Sequence, residues 1–271
     1  MASNLKERSV WAELMSRESG YSWCENKYEV TKLIAEFANT LSSIPIMVFP
    51  FVNWALTHRY SSKVNPYIVF LHLEIALVGL ASTYYHATLS LFGQLVDELS
   101  ILWVTVSVIY AWLPIVHFLP QSFKQRVKEL RICTLTVGVI LSLLALAKPK
   151  LNSYVLMMNF VPILFIILYE GQAQGVRQVK NMSVLCACSF ILSSVLWFID
   201  RFFCSFWRAI RFPYLHSVFH LLAAYTVHNA FILFLYLEIK IKAPYMEPRL
   251  AQFPAHRTIC FPYITLNGHT D

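Results

Sequence analysis

The sequence predicts an all-α integral membrane protein built as a bundle of seven transmembrane helices. Seven apolar runs can be drawn along it, most of them near the ~20 residues that a bilayer core requires. Hydrophobic residues make up 57% of the 271-residue chain and charged residues only 14%, with a mean hydropathy of +0.54, more apolar surface than one small soluble core can bury. Internal repeats and low-complexity tracts are absent from the sequence, so the runs are expected to form a single bundle with short connections.

Residues 1–33 are polar and mixed in charge, without the apolar centre of a cleavable signal peptide. The first span, 34–56, is therefore expected to act as the insertion signal. It contains Pro45 and Pro50, which a membrane helix accommodates as kinks when neighbouring helices satisfy the freed backbone groups. The second span covers 67–85 and the third 99–118. Shorter runs at 132–147 and 184–199 are the fourth and sixth spans, flanking a fifth at 152–169 that carries Pro162. The seventh, 214–237, closes a membrane domain of 34–238. Residues 239–271, with charges, prolines and aromatics, read as a mostly irregular cytosolic tail in contact with the lipid surface.

The net charge of +7 comes from lysines and arginines scattered over loops and tail, which forms no stripe suited to nucleic acid. Their distribution bears on orientation. With the N-terminus lumenal, the cytosolic side carries 12 Lys or Arg and the lumenal side 10, five of these in the N-terminal segment. The positive-inside rule then favours a lumenal N-terminus and a cytosolic C-terminus. The sequon Asn181-Met182-Ser183 falls on the cytosolic face in this topology and is expected to stay unglycosylated.

The polar residues of the spans converge. His216 and His220 stand four apart at the start of the seventh span, on one helix face and about one turn apart, a spacing that lets two imidazoles share a metal ion. Ser82 and His86 repeat the spacing at the end of the second span, and a short link leads to Asp97 at the head of the third. Seven crossings place His86, Asp97, Asp200, His216 and His220 at one membrane face whatever the orientation. Polar groups at such depth usually face a bundle interior or an aqueous cavity. His86, His216 and His220 are candidate zinc ligands, since catalytic zinc commonly has three protein ligands and an open fourth position. Asp97 is the candidate to orient water or take its proton, and Ser82 to donate to an oxyanion. Plainer roles stand beside these. Ser82 can serve as a small residue at a helix contact, Asp97 or Glu98 as a helix-start carboxylate, and Asp200 as the partner of Arg201 or of a ligand histidine.

The Ser82-x3-His86 pair, Asp97 eleven residues on, the His216-x3-His220 pair and the stretches HATLSLFGQLVDELSILW, DRFFCSFW and YLHSVFH together resemble the alkaline ceramidases of the type 1 and type 2 pattern. That family stands within a seven-span zinc hydrolase superfamily that includes the adiponectin receptors. The resemblance implies zinc-dependent hydrolysis of the ceramide amide to sphingosine and fatty acid in an endoplasmic reticulum or Golgi membrane, with ceramide and membrane lipid as partners. It also implies a disulfide between Cys24 and Cys204 and a calcium site formed by Ser22, Trp23, Glu25, Lys27 and Glu36. Trp23, Glu25 and Glu36 match the family pattern. Ser22 stands where the family has Asp and Lys27 where it has Asn, which removes ligands and adds a positive charge. Alternatives are a hydrolase of another lipid amide or ester, and a lipid-responsive receptor whose zinc is structural.

Overall fold

The computed structural model describes residues 17–21, 23–253 and 261–266. Among these, seven helices are long and apolar enough to cross a membrane. They are α1 (Phe37–Lys63), α2 (Tyr67–Thr88), α3 (Leu91–Trp112), α4 (Val127–Ala147), α5 (Pro149–Ala173), α6 (Arg177–Phe202) and α7 (Leu215–Lys242). Each extends past its apolar run by up to two turns, because polar flanking residues complete backbone hydrogen bonds that the hydropathy does not register.

The third helix departs most from the sequence reading. It begins at Leu91 with Ser90 as its N-cap, whose hydroxyl accepts from the Gly93 amide at 3.0 Å. Asp97 therefore lies two turns inside the helix, buried, and is not a helix-start carboxylate. Glu98 is not one either. Its two oxygens accept from Gln94 Nε2 at 3.2 Å and Asn152 Nδ2 at 2.8 Å, tying α3 to α5.

α7 is the most buried of the seven and packs against α1 and α6, while α4 is the least buried. Close approach of α1 and α2 depends on Gly79, where a Cβ would run into the Met47 backbone. The tail is more ordered than expected. Pro248–Phe253 (β1) and Phe261–Leu266 (β2) form an antiparallel pair running from Pro248 opposite Leu266 to Phe253 opposite Phe261. Ile264 is buried, β2 packs on α1 and α7, and His228 Nε2 lies 2.8 Å from the Pro262 carbonyl. Pro248 and Pro262 mask this pairing in the sequence, since proline is tolerated only where the ladder needs no amide.

At the opposite end, the N-terminal segment folds over the bundle. Cys24 is disulfide-bonded to Cys204, with Cα atoms 5.1 Å apart, in the short helix Cys204–Ala209 between α6 and α7. Ser22 and Cys260 lie outside the described residues. Cys186 is buried, whereas Cys133 and Cys188 are exposed on the apolar outer surface of the helices.

Candidate active site and metal centre

Two helix ends bring the three histidines together. The last turn of α2 supplies His86, and the first two turns of α7 supply His216 and His220. One ligand atom from each lies within 4.8 Å of the others, and all three residues are buried. Exposed acidic pairs often cluster without a metal; a buried set of three imidazoles aimed at one point is a different case, because neutral nitrogen lone pairs gain nothing from meeting unless a cation sits between them.

The hydrogen bonds around the rings assign their tautomers. His86 Nδ1 is 2.7 Å from the acceptor-only carboxylate of Glu36, so Nδ1 carries the proton. His220 Nδ1 is 2.9 Å from Ser42 Oγ and 3.2 Å from Ser43 Oγ. Both hydroxyls donate to the Asn39 carbonyl, at 3.0 and 2.9 Å, and are left to accept from the ring. In both histidines Nε2 is then the unprotonated nitrogen, the state a metal requires, with Nδ1–H held by an oxygen as ligand histidines usually have it. His216 is placed by stacking instead: the Trp23 ring lies 3.5 Å from it, centroid to centroid, at 16°. The chemistry of this donor set fits a zinc ion.

The other expected site residues lie around the same space. Ser82 and Asp97 line, with the three histidines, a cavity of about 250 Å³ that continues between the helices to Trp112, Phe231 and Phe234. The Ser82 hydroxyl lies 3.2 Å from Ser43 Oγ, and one Asp97 oxygen, Oδ1, is buried without a partner. Asp200 accepts from the Cys24 amide at 3.1 Å and lies by the His216 backbone amide, while the Arg201 guanidinium sits over the Tyr21 ring at 4.7 Å. Asp200 Oδ1 and His216 Nδ1 are both buried without a hydrogen bond.

No motif in the sequence marks Asn39, Ser42 and Ser43. Their spacing of three and four residues puts them on one face of α1 together with Glu36, and four polar groups on one face of an apolar span are the signal that could have found them. Glu36, expected among calcium ligands, has its Oε2 on His86 and on Asn39 Nδ2 at 3.0 Å. Glu25 accepts the Ala38 amide at 2.6 Å and the Asn39 amide at 2.9 Å, capping the start of α1. Burial pushes the Glu25 carboxyl up from its ordinary range, against those two amides. Lys27 Nζ lies 3.7 Å from Glu18.

The profile of the Ceramidase family matches residues 15–265. The chain is 39% identical to an alkaline ceramidase of Caenorhabditis briggsae over 264 residues, covering 95% of this chain and 96% of the relative. It is 33% identical to the alkaline ceramidase of Drosophila melanogaster over 260 residues, with 96% and 92% covered. Identity to alkaline ceramidase 1 of Homo sapiens is 30% over 253 residues, covering 93% and 96%. Each match spans the whole membrane bundle, from the N-terminal strap to the tail, and with the histidine constellation it leads to one conclusion: the chain belongs to the ceramidase family.

Proposed function

We propose that this chain hydrolyses the amide of ceramide, releasing sphingosine and a fatty acid, with a zinc ion held by His86, His216 and His220 at the lumenal end of the bundle. The observation that carries the reading is the position of three converging imidazoles at the head of a long apolar cavity, in a chain of this family. From Asp97 to Trp112 the cavity follows α3 for fifteen residues, about 22 Å at the helical rise, a depth suited to a long aliphatic chain.

A bound zinc ion supplies Lewis acidity, polarising a carbonyl and acidifying a water. The residues of the chain do the rest. Asp97, with an oxygen left without a partner, takes a proton from the attacking water and passes it to the amide nitrogen as the C–N bond breaks. The Ser82 hydroxyl donates to the carbonyl oxygen as negative charge gathers on it. Glu36, Ser42 and Ser43 hold the Nδ1 protons of His86 and His220, so that neither ring can turn its protonated nitrogen inward. Trp23 packs on His216 and forms a wall of the cavity that keeps bulk water from the reacting amide.

The excess of positive charge on the loops opposite the histidine end supports a lumenal site and a cytosolic tail; the family resemblance supports an endoplasmic reticulum or Golgi membrane. The test is release of sphingosine from a ceramide panel by purified wild type and His216→Ala, with elemental analysis of both proteins. Wild type is expected to carry about one zinc per chain and to cleave ceramide, and the variant to lose both. A zinc-loaded wild type that cleaves no ceramide would sink the reading and leave the metal a structural one.

A further inference from the structure

The N-terminal strap, described over residues 17–21 and 23–36, crosses the histidine end and contributes Trp23 and Glu36 to it, so whatever holds the strap also holds the site. The family resemblance leads one to expect calcium there. Calcium takes six to eight oxygens, roughly, and draws its affinity from ligand charge. Three of the four Glu25 and Glu36 carboxylate oxygens already face donors of the protein, and Glu36 Oε1 is left without one. Both Glu25 oxygens take backbone amides of α1, and Glu36 Oε2 takes His86 and Asn39. The Cys24 carbonyl accepts from Arg208 Nε at 2.8 Å, and the Trp23 carbonyl faces Nη2 of the same guanidinium at 3.5 Å. Lys27 offers three donors and no lone pair where the pattern calls for an amide oxygen.

We propose that the strap is closed over the site by a cation of the chain itself, Arg208, in place of a calcium ion, with Lys27 removing one ligand of the pattern. The covalent frame explains how Arg208 comes to be there. The Cys24–Cys204 disulfide fixes the short helix Cys204–Ala209 beside the strap, and Arg208 lies four residues, one turn, beyond Cys204. A guanidinium stays charged at any working pH and its forked donors match two successive carbonyls. Lys27 pairs with Glu18 within the strap, at 3.7 Å. A divalent ion taking the Trp23 and Cys24 carbonyls would displace the Arg208 guanidinium, and one taking Glu25 would strip it of two backbone amides.

The test uses full-length protein with its zinc retained and reads calcium content and thermal midpoint, neither of which depends on which lipid is cleaved. Wild type equilibrated with radioactive calcium at micromolar to millimolar concentrations is expected to retain no stoichiometric ion, and added calcium is expected to leave the midpoint unchanged. Binding of about one calcium per chain with a rise in midpoint would overturn the proposal, since a ligand at a hundredfold excess over its Kd adds about 2.7 kcal/mol. Arg208→Gln is expected to lower the midpoint by several degrees and to raise amide exchange in 23–36, with Arg208→Lys recovering part of both. Unchanged exchange and midpoint in Arg208→Gln would remove Arg208 from the role. Should Arg208→Gln not fold, the wild-type calcium measurement still decides. The combined variant Ser22→Asp, Lys27→Asn, Arg208→Gln is expected to gain a calcium-dependent midpoint.

Discussion

The two ends of α7 each bury charged or titratable groups, and they differ in what those groups lack. At the C-terminal end Glu238 is buried, with a donor on each oxygen: Lys242 Nζ at 2.6 Å and Asn65 Nδ2 on one, Trp112 Nε1 at 2.6 Å on the other. Trp112 in turn stacks on Phe234 at 5.3 Å. At the N-terminal end, three histidines, Asp97, Asp200 and Glu36 are packed together, yet Asp97 Oδ1, Asp200 Oδ1, Glu36 Oε1 and His216 Nδ1 have no partner. A buried carboxylate whose oxygens are all taken holds helices together. One left with an open valence is costly to keep; single cases such as Glu74 Oε2 occur elsewhere, and it is the gathering of four beside candidate metal ligands that points to chemistry. The difference separates a structural tie from a candidate catalytic centre on a single helix.

Mutations at the two ends should therefore fail differently. The largest effect is expected for Asp97→Asn, which keeps size and burial but removes the proton acceptor. Ceramide turnover should fall about a hundredfold to ten-thousandfold while zinc content stays at the wild-type level, read by steady-state kinetics beside elemental analysis. If zinc is lost instead, Asp97 belongs to the metal site and not to proton transfer. Glu238→Leu, at the other end, leaves the Trp112 indole N–H without its acceptor and is expected to cost about 2–3 kcal/mol, seen in thermal unfolding. The folded fraction should keep its zinc, and a variant that unfolds no earlier would show that this tie holds little.

Smaller effects sharpen the comparison within the histidine end. Glu36→Gln still accepts from His86 Nδ1–H but without charge, and zinc affinity measured by chelator competition should weaken by about ten- to a hundredfold. Ser42→Ala removes one of two hydroxyls that can accept from His220, so Ser43 is expected to keep the loss under about tenfold in the same competition. Equal losses from the two variants would mean that carboxylate and hydroxyl support the metal alike.

By itself the sequence determined the class of protein, the number of crossings and which residues share a membrane face. Those follow from local composition: an apolar run of bilayer length must be a helix in lipid, and an odd number of helices puts His86 and His216 on the same side. The histidine spacing in α7 was equally legible, since four residues make one turn. Only the tertiary structure decided which groups complete the site. Asn39, Ser42 and Ser43 read as ordinary small residues of a kinked span until α1 is packed on α7. That Glu36 meets His86, fifty residues away, is likewise written in no local pattern. The plainer reading of Asp97 or Glu98 as a helix-start carboxylate falls only once Ser90 is seen to cap α3, seven residues before Asp97. The tail reads as irregular until its proline-bearing strands find α1 and α7. In each case the partner is distant in sequence. Hydrophobic periodicity and turn signals describe a residue's own element, whereas hydrogen-bond satisfaction and metal ligation depend on groups that only the packing of helices brings within about 3 Å.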